Sequence, residues 1–98
     1  MPAYVIADVE VHDPVAYEPY RKMAEASILK HGGRYLVRGG AVEVREGTWQ
    51  PRRLVIIVFE SMAQARGFYD SDDYAPALAI RQSVATSNLV IVDGVPPA

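Results

Sequence analysis

Two histidines, ten basic residues and six tyrosines carry whatever chemistry this chain performs. The chain has no cysteine, which removes thiolate nucleophiles, thiolate metal sites and disulfides together. His12 and His31 lack the spacing of a metal-ligand pair, so no metal or other cofactor is expected. His31 falls at the end of a helical stretch. There a protonated imidazole is favoured by the helix dipole, and an unperturbed pKa near ~6.5 equally suits it to general acid or base work. His12 stands beside a turn and is expected to face solvent. Arg81 lies among Ala77, Leu78, Ile80 and Val84. An arginine in apolar surroundings needs a partner, because leaving its charge unpaired costs several kcal/mol. That partner is either an acid of the same fold, Glu46 or an aspartate, or a ligand carboxylate gripped by the guanidinium fork. Arg38 flanks a glycine pair, where it either meets a ligand or keeps a hairpin end soluble. Arg53 opens an apolar strand and is expected to pair with Glu43 or Glu46.

Tyrosine outnumbers phenylalanine six to two, so most aromatic bulk here arrives with a hydroxyl that seeks a partner. Tyr20, Tyr69 and Tyr74 fall on or beside helical stretches. They pack the core and rim, or they line a pocket between helices and sheet. In the second reading His31 and Arg81 are the candidate catalytic groups, and Tyr20, Arg38, Tyr69 and Tyr74 bind a small acid or phenol. Other chemistry lacks its motif. Gly32-Gly33 and Gly39-Gly40 match neither a phosphate loop nor a dinucleotide fingerprint. Ser61 and Ser71 read as helix caps, with no nucleophile-elbow pattern around either. Asp72-Asp73 reads as a helix start rather than a cation site. Trp49, in a loop, lines either a pocket mouth or a subunit rim.

The elements that must position these groups follow from periodicity. Ala3 to Val11 alternates as a strand, with Ala3, Val5, Ala7, Val9 and Val11 on one face and Tyr4, Ile6, Asp8 and Glu10 on the other. Asp13-Pro14 is an N-cap followed by proline at the first helical position. The helix runs to Lys30. It stacks Tyr17, Tyr20, Ala24, Ile28 and His31 on one stripe and leaves Arg21, Lys22, Glu25 and Lys30 to water. Gly32 or Gly33 ends it. A hairpin is expected next, turning at Gly39-Gly40, with Val37 facing Val42 and Tyr35 facing Val44. Arg34, Leu36, Arg38, Glu43 and Arg45 would share its opposite face. Residues 46–51 read as a loop. Leu54 to Phe59 is apolar on both faces and must be covered on both. Ser61 with Gln64 is a capping-box signature opening a second helix. A break near Asp70 to Asp73 precedes a helical segment to about Val84, with Pro76 in its first turn and the aspartates at its positive end. A strand from Ser87 to Asp93 closes the chain, stopped by Gly94 and Pro96-Pro97.

The order is β-α-β-β-α-β, a ferredoxin-like α+β pattern in one domain spanning residues 1–98. Both crossovers place their helices on the same face of the antiparallel sheet, which leaves the other face bare. Because Leu54 to Phe59 and residues 89–92 are apolar on both sides, that bare face would be an exposed patch. A second copy packed sheet against sheet would cover it, so a homodimer is expected; the alternative cover is loops or the C-terminal tail. A net charge of −2 argues against nucleic acid. No apolar run reaches the ~20 residues of a membrane span, and the start lacks the pattern of a signal peptide. The expected location is cytoplasmic.

The chain resembles the domain of unknown function 1330 family of the dimeric α+β barrel superfamily. The resemblance covers nearly the whole chain. It is carried by the run from His31 to Gly40, Glu46-Gly47, Arg53, the strand ending in Phe59, Tyr69-Asp70-Ser71 with Tyr74, Arg81 and Asp93-Gly94. It implies a homodimer whose two sheets pack into a barrel, and it supplies no reaction. Related families include small monooxygenases and isomerases that need no metal, which implies by fold analogy alone a cofactor-independent enzyme acting on a small organic acid or aromatic compound. The alternative is a non-catalytic small-molecule-binding or regulatory dimer.

Overall fold

The alternating burial of Ala3–Val11 makes it β1, one of two central strands in a four-stranded antiparallel sheet ordered β2-β3-β1-β4. The computed structural model describes residues 1–96. The remaining elements are α1 (Pro14–Lys30), β2 (Arg34–Arg38), β3 (Leu54–Phe59), α2 (Met62–Tyr69), α3 (Ala75–Val84) and β4 (Ala85–Asp93). This is the expected ferredoxin-like order, with the second helical region split in two. Pro97, read with Pro96 as the final stop, lies outside the described residues.

Local chemistry explains most boundaries. Asp13 caps α1, its carboxylate accepting the Ala16 N–H at 3.1 Å, and Pro14 opens the helix. Gly32, at φ +80°, ends it in a left-handed turn that an L side chain resists. The Gly33 N–H then reaches back to the Ile28 carbonyl at 2.9 Å and the Gly32 N–H to the Leu29 carbonyl at 3.1 Å. A Cβ on Gly33 would meet the Phe59 ring at 2.6 Å, so the helix end packs flush on β3. Ser61 caps α2 through the Gln64 N–H, but only half of the capping box forms. The Gln64 amide donates instead to the His31 carbonyl at 2.9 Å, stitching α2 to the end of α1. Between α2 and α3 the Ser71 hydroxyl accepts the Tyr74 N–H and closes the turn that leads into α3. Asp73 does not serve α3; its carboxylate takes Lys30 at 3.0 Å, because α1 ends close by.

The expected hairpin does not form. Residues 40–45 hold no strand, and the β2 partner is β3: Tyr35 faces Ile57 and Val37 faces Ile56. The Gly39 N–H donates to the Leu54 carbonyl at 2.8 Å, so the ladder runs straight into β3. Leu54–Phe59 competes better for that edge because it buries Ile57 and Phe59 under the helices, whereas Val42 and Val44 stay 43% and 42% exposed. A bulge between Tyr35 and Val37 has a larger consequence. In a regular strand Tyr35 and Arg38 point to opposite faces. The extra residue restores the phase, so both turn toward the helices.

All three helices cover one face of the sheet. The core joins Ala3, Val5, Ile57 and Phe59 to Ala24 and Ile28 of α1, Ala65 and Phe68 of α2, and Tyr74 and Ala77 of α3. The opposite face shows Tyr4, Ile6, Leu54, Ile56 and Val58, with Val90 56% and Val92 44% exposed on β4. No helix among the described residues is long and apolar enough to cross a membrane.

Candidate functional site

Helical spacing brings the aromatic groups together. Tyr17 and Tyr20, one turn apart on α1, have ring centroids 5.1 Å apart. Tyr74 sits at the cap of α3, and its hydroxyl lies 2.7 Å from the Tyr20 hydroxyl. Arg81 follows Tyr74 by seven residues, two helical turns, and so shares its face. Its guanidinium carbon stands 6.0 Å over the Tyr20 ring. Only 5% of Arg81 is exposed.

The sheet supplies the other wall of the same cavity. Val5, Ala7 and Val9 of β1 form the apolar floor, with Val55 and Ile57 of β3 and Leu89 of β4 beside them. Tyr35 and Arg38 reach in from β2 because of the bulge, and the Arg38 guanidinium lies 4.3 Å over the Tyr35 ring. Arg53 enters just before β3. Its backbone is held in place: its carbonyl accepts the Val9 N–H at 3.0 Å, and the neighbouring Arg52 N–H donates to Asp8 at 2.9 Å. The Arg53 side chain lies against Gly39, where any Cβ would collide with its guanidinium. The cavity measures about 40 Å³, room for roughly three water molecules at ~10–15 Å³ each.

Four tyrosines (Tyr17, Tyr20, Tyr35 and Tyr74) and four arginines (Arg21, Arg38, Arg53 and Arg81) line it, and no histidine or acidic side chain does. The arginines divide into two pairs. Arg38 and Arg21 have glutamate neighbours, Glu25 at 3.4 Å and Glu18 at 3.9 Å. Among the described residues Arg53 and Arg81 have no salt bridge, and the Nε–H of each is buried without an acceptor. The ion pairs expected from the sequence, Arg81 with Glu46 or an aspartate and Arg53 with Glu43 or Glu46, are therefore not formed. Glu43 and Glu46 sit in the exposed 40–50 segment, out on the strandless loop.

The phenols answer this environment. Burial raises the Tyr20 pKa far above that of free tyrosine, reinforced by its hydroxyl neighbour Tyr74. Burial also raises Tyr17, against the pull of Arg53 and Arg81, and raises Tyr35 against Arg38. For Arg81, burial works against the charge, but the Tyr74 and Tyr20 phenols outweigh it and its pKa moves up. At neutral pH the cavity thus holds the fixed positive charge of Arg81 beside the neutral phenols of Tyr17, Tyr20 and Tyr35.

The other candidates lie elsewhere. His31 does not line the cavity with Arg81; it ends α1, stands edge-on to Phe68, and places Nε2 3.4 Å from Asp73 Oδ2 outside hydrogen-bond geometry. The Asp73 carboxyl is held below the usual carboxylate range chiefly by its hydrogen bond from Lys30. Tyr69 also stands outside, its ring 5.8 Å from that of Tyr74, in a shallow depression shared with Arg81, Gln82 and Ser87. Trp49 donates to Asp8 at 2.9 Å on the side of β1 turned away from the helices, which draws the Asp8 pKa down. Sequence reasoning missed Tyr17, Arg21, Tyr35 and Arg53 as lining groups. Tyr17 lies on the helical stripe, whereas Arg21 was expected to face water and instead lines the cavity, and nothing local marked Arg53. Among the described residues no three His, Asp or Glu side chains gather where a metal could be held.

A family model described as a domain of unknown function, DUF1330, matches residues 2–95. No curated protein matches the chain. Among solved structures, the chain is similar to the RPA0582 protein of unknown function from Rhodopseudomonas palustris at a TM-score of 0.74 and 17% identity, covering 98% of this chain and 84% of that one. It is similar to SnoaB, a cofactor-independent oxygenase from Streptomyces nogalater, at 0.65 and 14%, covering 98% and 95%. Rv0793 from Mycobacterium tuberculosis gives 0.63 and 20%, covering 100% and 99%. At these identities the likeness is one of fold, the ferredoxin-like α+β arrangement.

Proposed function

The chain belongs to the DUF1330 family, and from that premise we propose a small cofactor-independent enzyme that works on a small organic acid or aromatic compound in the cavity between α1, α3 and the sheet. One observation carries the reading: four phenols and four guanidiniums converge on a cavity with an apolar floor. Arg81, Tyr20, Tyr74 and Arg38 are the working residues, joined by Tyr17 and Arg53. His31 and Tyr69 have no part in it. A structurally similar protein, SnoaB, is described as a cofactor-independent oxygenase, which supports chemistry of this class on this fold. In this reading the protein is a cytoplasmic homodimer, the second copy covering the apolar sheet face that carries Ile56, Val58 and Val90. Burial of such a face is what stabilises an association of this kind.

The test is a thermal-shift screen of small carboxylic acids and phenols, followed by chromatography of each hit after incubation with the protein in aerated buffer. A ligand at ~100 times its Kd adds ~2.7 kcal/mol of stability, well within detection. We expect a hit that is consumed; a screen in which no acid or phenol shifts the transition would remove the reading. One feature favours the non-catalytic alternative: the lining has no imidazole or carboxylate to accept a proton, and burial raises the pKa values of Tyr17, Tyr20 and Tyr35. A hit that binds and is recovered unchanged would establish that alternative.

A further inference from the structure

We infer that Arg81 and Arg53 together grip an ionised carboxylate, so that the ligands of this cavity are acids with an aromatic or apolar body and not neutral phenols, quinones or esters. This deepens the reading above and rests on it. Arg81 is 5% exposed and has no acidic partner, and Arg53 has none either, although each presents a buried Nε–H without an acceptor. A buried guanidinium with neither counter-charge nor full hydrogen bonding is costly, and cores seldom keep one without a reason. Both line the same small cavity together with Tyr17. A planar carboxylate there would accept from a guanidinium fork in the way neutral oxygens cannot match.

Shape divides the ligand in the same way. The cavity of about 40 Å³ suits a carboxylate with little more. The body must then extend toward Arg21 and Arg38, whose side chains are 42% and 36% exposed and already carry glutamate neighbours. That end is close to charge-balanced and walled by the Tyr35 ring, which favours an uncharged, flat body. The charge is therefore needed at one end only.

The probes are 4-hydroxybenzoate and its methyl ester, titrated by calorimetry into the full chain and into Arg81→Met, Arg53→Met and Arg81→Lys. The acid is expected to bind at least tenfold more tightly than the ester. Each Met variant should lose at least tenfold for the acid and little for the ester, with Arg81→Lys between. The side-chain Nε–H resonances of Arg81 and Arg53 in the unsubstituted protein give a readout that needs no variant to fold, and both should shift when acid is added. Equal binding of acid and ester would overturn this inference and leave the small-molecule site intact. Acid binding that leaves both Nε–H resonances unmoved would do the same. No binding by either probe at millimolar concentration would count against the inference, and with an empty acid and phenol screen it would remove the site as well.

Discussion

Replacing Arg81 by methionine should stabilise the ligand-free protein while destroying the site. Arg81 is 5% exposed, lacks a counter-ion and leaves Nε–H unpaired. An unsatisfied buried donor costs about 1–3 kcal/mol, and exchanging buried charges for apolar groups of similar volume is often neutral or favourable by ~1–4 kcal/mol. Against this stand the Tyr74 hydroxyl, whose hydrogen bond to the guanidinium is worth about 1 kcal/mol, and the Tyr20 ring, though a guanidinium carbon at 6.0 Å is at the outer limit of a cation–π contact, worth about 0.5 kcal/mol. Methionine keeps most of the apolar stem. The balance predicts that Arg81→Met gains about 1–3 kcal/mol. For a chain of this size each kcal/mol moves Tm by ~4–8 °C. The assay is guanidinium chloride denaturation at fixed protein concentration, since any association shifts apparent stability. A loss of 3 kcal/mol or more, the signature of breaking a satisfied buried pair, would mean that Arg81 has a counter-ion in the folded protein.

Three further outcomes follow from the packing. Stability should fall above pH ~10: the Tyr20 hydroxyl is neutral in both states below that, but above it the unfolded chain ionises while burial holds the folded phenol protonated. The Tyr20 share of that fall is ~1.4 kcal/mol per pH unit, so Tyr20→Phe should flatten the slope measured by denaturation at pH 9 to 11, and at neutral pH cost ~1–3 kcal/mol by orphaning the Tyr74 hydroxyl; an unchanged slope would contradict it. The unsubstituted chain should sediment as a dimer at micromolar concentration and Val90→Glu, on the open sheet face, as a folded monomer; an unaltered dimer would show that this face is not the interface. Gly33→Ala should cost ~1–3 kcal/mol by driving a methyl into Phe59 and Ile28, and a neutral result in the same denaturation assay would mean that the helix end packs more loosely than described.

What was legible in the sequence was local. The alternation of Ala3–Val11, the Asp13-Pro14 start, the Ser61 cap and the Gly32 stop each depend on a few neighbouring residues, and each stands where it was read. The hairpin failed because Val42 and Val44 alternate as a strand would, and only competition with Leu54–Phe59 across the sheet decides which segment pairs with β2. The bulge that aims Arg38 at the cavity is one residue of register, with no compositional mark. Arg81 could be flagged by its apolar neighbours. Whether it met an acid depended on where residues 43–46 go, and a loop leads them away. Arg53 was assigned an ion pair for the same reason and became a cavity group instead. His31 stands apart from the cavity because the turn that ends α1 sets it beside Asp73 rather than over the sheet.

The most direct test of the tyrosine–arginine cavity as a ligand site is a crystal structure of the protein with 4-bromobenzoate, read by bromine anomalous scattering. The account predicts carboxylate density against Arg81 and Arg53, with the bromine on the Tyr35 and Arg38 side. Bromine found only on other surfaces, with the two arginines still unpartnered, would contradict it.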